Sequence, residues 1–357
     1  MHLRHVIGSA MASILVLGLV VAGGWWTSGQ VAADTRSPLT VALDALPPDT
    51  RVAGFTNWAR VRSELGLGEA ATAAGRAALT DDAVLLDLST RSVLGQYTEE
   101  MHAGYGWSAA DLDWEIYGQA NDGAGMVAQL DEAVSFASVR AGLEKLGYTQ
   151  EGSVWSLGPD SVRTASPDLT ATLASIVLMP RRRLIVAADR PTYISTVLDT
   201  IDRDAPSLLA NRSAQDVARR LTGADTVLLQ AGPFVCASTS LADQGAEVRA
   251  QASAAIDRAG ALVAPVFAGR GLVSGPGSTQ VMRFVMGFQS PSVAAAQLDA
   301  RRRLATGPFI GRSGRIEDSL KLQAADLYGT TTSLRFDHDP SSITYMSGDG
   351  PLLFAGC

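Results

Sequence analysis

Val6 to Trp26, VIGSAMASILVLGLVVAGGWW, carries no ionisable side chain, and this run constrains the chain more than any other stretch. A helix crosses a bilayer core with about 20 such residues. Arg4 precedes the run and the first charges after it are Asp34 and Arg36, so the short basic end stays cytoplasmic and the bulk of the chain lies outside. Residues 1–33 therefore read as an N-terminal membrane anchor or signal peptide. Val31-Ala32-Ala33 supplies a small-residue cleavage site, whereas the length of the run and the Trp25-Trp26 pair at its outer end favour an uncleaved anchor. The expected location is the cell membrane, single-pass with an extracytoplasmic C-terminal domain, or secreted if cleavage follows Ala33.

The remaining length is enough for one large domain or two smaller ones with real cores. With 36 acidic against 29 basic residues, the balance argues against nucleic acid as a partner. Cys236 and Cys357 are the only cysteines. Outside the membrane thiols are commonly oxidised, so the two are expected to form a structural disulfide rather than a metal site or catalytic thiol.

Residues 34–46 are small, polar and interrupted by Pro38, which reads as a tether, and Pro47-Pro48 stiffens the start of the folded part. Arg51 to Thr56 reads as a strand, with Asn57 capping a helix that stops at Gly66. In Asp111 to Tyr117, Leu112, Trp114 and Ile116 alternate with Asp111, Asp113 and Glu115, the pattern of a half-buried strand with its carboxylates on a solvated face. Phe136 to Leu146 has helical spacing, and Ser175–Met179 with Leu184–Ala188 reads as a hairpin. Pro191 opens a helix. Helices over Ser213–Leu221, Leu241–Ala259 and Ser292–Leu304 and strands over Thr226–Ala231 and Val281–Phe288 follow, with Gly269 to Gly277 as a flexible connection. A last hairpin is expected from Thr331–Phe336 and Ile343–Met346.

Strand, helix and hairpin thus recur in that order: Met126-Leu130, Phe136-Leu146 and Ser175-Ala188, then Val281-Phe288, Ser292-Leu304 and Thr331-Met346. Asp49-Thr50 before RVAGF also matches Asp225-Thr226 before VLLQA. The expected fold is α+β, a mainly antiparallel sheet with helices on one face, in two similar halves, 47–205 and 206–357. The segments ALPPDTRVAGFTNWARVRSELG, GWSAADLDWEIYG, SLLANRSAQDVARRLTG and GPLLFAGC together resemble an uncharacterised family of actinobacterial exported or membrane-anchored envelope proteins. That resemblance covers most of the exported region and implies no activity, because its motifs concern packing rather than chemistry.

Catalytic signatures are scarce. The chain has no G-x-S-x-G elbow, no Ser-x-x-Lys and no phosphate-binding Gly-Lys-Ser/Thr turn. Asp337-His338-Asp339 has metal-ligand types but reads as a turn tip before Pro340, and no catalytic, cofactor-binding or metal residue is assigned. Arg181–Arg183, Arg219-Arg220 and Arg301–Arg303 read as solvated charge; Trp107 and Trp114, with Tyr105 and Tyr117, are candidates to line a sugar or lipid pocket, with Trp114 read as core instead. The leading expectation is a non-enzymatic envelope module that binds a partner protein, a lipid or a glycan without a cofactor. The alternative is an envelope hydrolase using scattered carboxylates such as Asp113 and Glu115.

Overall fold

The computed structural model describes residues 36–68, 72–157, 169, 171–275, 280–339, 346 and 352–357. The expected membrane segment, residues 1–33, lies outside the described residues, and among those described no helix is long and apolar enough to cross a membrane. Residues 37–357 form one compact unit.

Twelve strands build one sheet in which every neighbouring pair is antiparallel. They are β1 Val52–Thr56, β2 Leu112–Gln119, β3 Ala124–Leu130, β4 Tyr148–Glu151, β5 Val154–Leu157 and β6 Ser175–Met179, then β7 Leu184–Ala188, β8 Thr226–Ala231, β9 Phe267–Ser274, β10 Gln280–Gly287, β11 Leu320–Tyr328 and β12 Thr331–His338. The order is β11-β12-β10-β9-β8-β1-β2-β3-β7-β6-β5-β4. Read outward from the central β1–β8 pair, β1-β2-β3-β7-β6 on one side mirrors β8-β9-β10-β12-β11 on the other. Strands β5 and β4 lie beyond this mirrored order, at the edge of the β1 side.

The second hairpin differs from the sequence reading. It is β11–β12, not Thr331–Met346, and apart from Met346 the strand expected over 343–346 lies outside the described residues. Strand β11 escapes a hydrophobic-pattern search because it is an edge strand, KLQAADLY after Leu320, with most side chains partly or fully exposed.

Nine α-helices lie among the described residues: α1 Pro38–Leu43, α2 Trp58–Glu64, α3 Ala73–Leu85, α4 Thr98–Tyr105, α5 Phe136–Lys145, α6 Pro191–Asp202, α7 Arg212–Leu221, α8 Ala246–Ala259 and α9 Pro291–Leu304. The α+β class with an antiparallel sheet is as expected, but the helices cover both faces rather than one. Alternate residues of one strand enter different cores: Met126 and Ala128 pack with Trp58, Leu79, Met101, Val139 and Leu304, while Val127 packs with Leu43, Ile194 and Val217. Helices α1, α6 and α7 therefore share one face, and α2 to α5 with α8 and α9 share the other. The solvated face expected for Asp111–Tyr117 is covered in this arrangement, where Glu115 is buried.

The tether expected over residues 34–46 is also corrected. Ser37 accepts a hydrogen bond from the Thr40 N–H at 3.3 Å and Pro38 occupies the first helical turn, so Pro38 starts α1 rather than interrupting a loop. Leu39, Ala42, Leu43 and Leu46 then form a buried helical stripe.

The flexible connection over Gly269 to Gly277 is corrected as well, since Gly269 and Gly271 belong to β9. A Cβ on Gly269 would lie 2.6 Å from Leu229 Cδ2, 2.7 Å from Leu221 Cδ1 and 2.9 Å from Val217 Cγ1. Glycine here lets α7 approach the sheet closely. Gly269→Ala is expected to cost about 1–3 kcal/mol by urea denaturation, because the displaced atoms are side-chain ends with limited freedom. A loss under about 0.5 kcal/mol, the surface-substitution range, would show that α7 yields without cost.

Candidate functional site

The alanine-rich helix α8 meets the body through Ala252, Ala255 and Ala259, and side chains this short leave space on both flanks. The larger cavity, about 470 Å³, lies between α8, the C-terminal end of α9, residues 306–316 and the terminal strap 352–357. Ala255, Leu304, Phe309, Ile316, Leu353 and Phe354 give it an apolar lining, and the exposed Gln251, Arg258 and Arg303 stand at its rim. Its volume falls within the range of roughly 300–1,000 Å³ typical of small-molecule sites. A second cavity of about 280 Å³ lies along the other flank of α8, against Leu241, Ile256, Leu353 and Cys357.

Three devices hold the strap that walls both cavities. Cys236 and Cys357 form the expected disulfide, with Cα atoms 5.7 Å apart. Phe354 packs on the sheet against Phe284 and Phe336, with ring centroids 5.0 and 5.1 Å away. Arg301, read from sequence as solvated charge, is fully buried: Nη1 donates to the Phe354 and Gly356 carbonyls at 2.8 and 2.9 Å, and Nη2 to the Val263 carbonyl at 2.9 Å. Arg303 reaches back to the Ala259 carbonyl at 3.1 Å, which fixes the rim of the larger cavity to α8.

The carboxylate row on β2 is not a solvated face. Glu115 is 1 % exposed. Trp58 Nε1 donates to its Oε2 at 3.1 Å and the Val93 N–H to its Oε1 at 3.0 Å. Burial pushes its pKa up to about 7, against the pull of these donors and of Ser92. Asp113 is also shifted up, chiefly by burial and then by Asp131. Asp111 instead accepts from the Ser108 N–H at 2.8 Å in a capping turn. Glu115 is enclosed under Trp58 and residues 92–94, whereas Asp113 is half-buried.

His338 is buried in β12, with its Nδ1 and Gln280 Oε1 2.9 Å apart, so the turn tip expected at Asp337-His338-Asp339 is strand up to His338. Among the described residues no group of three metal-ligating side chains converges. Trp114 is buried as expected, and Trp107 is fully buried as well. Arg182 pairs with Asp202 at 2.9 Å, and Arg219 pairs with Asp216. The cavity residues Arg258, Arg303, Leu304, Phe309 and Leu353 were not legible as a site, because they come from four separate stretches. The terminal GPLLFAGC motif is the single signal that touches them.

Comparison with known proteins adds little to this geometry. No protein-family model matches the chain, and no curated protein matches it. Among solved structures, crystal form I of the Treponema protein TP0453 is similar with a TM-score of 0.42 at 6% identity, covering 85% of this chain and 96% of that one. Crystal form III of TP0453 gives 0.38 at 6% identity, over 86% and 97% of the two chains. Similarity at this level carries no argument about activity.

Proposed function

We propose that this protein is a non-enzymatic envelope module, held outside the membrane, that binds an amphiphile with an acyl chain and an anionic head in the larger cavity beside α8. The observation that carries the reading is the pairing of an apolar lining with Arg258 and Arg303 at the rim. An acyl chain gains by leaving water along the lining, and a carboxylate or phosphate head gains from the two guanidinium groups. The Cys236–Cys357 bond and the apolar run over residues 6–26 support an extracytoplasmic location.

The test combines mass spectrometry with a titration. The chain is purified from an exporting host, its native and denatured masses are compared, and the delipidated protein is titrated with a dansyl-labelled fatty acid. Added mass under native conditions only, and dye binding weakened about tenfold in an Arg258→Glu, Arg303→Glu variant, are the expected results. A second variant, Ala255→Trp, fills the cavity and should abolish dye binding. Absence of added mass together with equal dye binding by all three proteins would reject the reading.

A further inference from the structure

The outer end of the second half carries an amphipathic patch unrelated to the cavity. Arg283 on β10 stands directly opposite Arg335 on β12. Like charges in opposed positions of an antiparallel pair repel. Arg283 Nη1 donates to the Arg220 carbonyl at 3.3 Å, and the Arg220 guanidinium lies 3.5 Å from the centre of the Tyr328 ring. These contacts link three arginines, of which Arg220 covers the Tyr328 ring.

No carboxylate among the described residues lies within ion-pair distance of Arg220, Arg283 or Arg335. The neighbouring acids are committed elsewhere or stand off: Asp216 pairs with Arg212 and Arg219, and Asp337 accepts from Gln323 at 2.6 Å. Asp326, opposite Ser333, is two residues along β11 from Ala324, which pairs with Arg335. Burial and then Arg335 pull the Arg283 pKa below its ordinary value, against the opposing effect of Tyr328. At the β11–β12 tip Tyr328, on the same face as Arg335, is 40% exposed, and Leu327, on the opposite face, is 42% exposed.

We propose that this patch docks the domain on an anionic phospholipid surface, with Arg220, Arg283 and Arg335 on lipid phosphates and Leu327 and Tyr328 in the headgroup layer. Charge complementarity selects the anion, and the exposed apolar tip selects a membrane over a free phosphate, which would make no use of it. Tyrosine favours the membrane interface, and arginines near an anionic leaflet each add to binding. The proposal stands independently of the cavity reading.

Residues 37–357, which form one compact unit with its complete sheet, can be tested by co-sedimentation. The probes are vesicles of phosphatidylglycerol mixed with phosphatidylcholine, and vesicles of phosphatidylcholine alone. The expected result is binding to the anionic vesicles only, weakened on the order of tenfold or more by Arg283→Gln with Arg335→Gln and reduced by Leu327→Asp. The double arginine variant removes a repulsion, so its thermal midpoint should not fall. Equal binding to both vesicle types, unchanged binding by the arginine variant, or absence of binding would overturn the proposal. Binding of inorganic phosphate without vesicle binding would also overturn it.

Discussion

Arg301→Met is expected to lower the unfolding free energy by about 3–5 kcal/mol, since two buried carbonyls, Phe354 and Gly356, and the part-buried Val263 carbonyl each lose a charge-assisted donor worth about 1–3 kcal/mol, partly offset by removing a buried charge. Methionine keeps much of the aliphatic volume, so the loss reports hydrogen bonding rather than a void. The guanidinium is fully buried, and burial holds its pKa down at about 10, still charged at neutral pH. Arg301→Lys should not restore the loss, because an ammonium cannot present the planar fork that spans the Phe354, Gly356 and Val263 carbonyls. The disulfide and Arg301 hold the same strap, so the two should be coupled. Carboxypeptidase digestion followed by intact mass is expected to leave the Cys357→Ser chain intact to residue 356 and to trim the Cys357→Ser, Arg301→Met double variant toward Leu352. A loss below about 1 kcal/mol for Arg301→Met, near the range of single surface changes, would show that the strap is held without it.

Hydrophobic periodicity is legible where an element buries one face and invisible where it buries two or none. Trp114 and Ile116 marked β2, but Glu115 between them was read as solvated, because a sequence does not say that Trp58 folds over the opposite face. Helix α1 is too short for its stripe to stand out from a linker, and edge strand β11 has no stripe to show. The repeated order of elements in the sequence has a counterpart in the palindromic sheet order, in which β1 and β8 pair at the centre and each covers an edge the other would leave open.

The candidate site was less legible for a different reason. Its residues are alanines on α8, a buried arginine in a run of three and a terminal strap, and each type has a commoner role elsewhere. Arg301, Arg302 and Arg303 are adjacent in sequence, yet the helix turns Arg301 into the core and leaves Arg302 and Arg303 exposed. A charge run on a helix therefore divides by its angle around the axis, and the sequence alone does not supply the packing that fixes that angle.

Stability is expected to fall by roughly 3 kcal/mol as pH rises from about 4.5 to above 7, with Glu115 as the main cause. Its pKa is raised from 4.5 to about 7 in the folded chain. Below the unfolded value the carboxyl is protonated in both states and its contribution is fully present. Between the two values the folded state holds a proton that the unfolded state has released, and this advantage is spent as pH passes the folded value. Glu115→Gln removes the ionisation and should flatten the profile, leaving the smaller slope of the same sign from Asp113. The amide carbonyl can accept from Trp58 or from the Val93 N–H but not both, so the variant carries an offset that does not vary with pH. Urea denaturation at several pH values separates the two effects, since the offset displaces the curve and ionisation tilts it. Parallel curves for wild type and Glu115→Gln would show that Glu115 keeps an ordinary pKa and that water reaches it under Trp58.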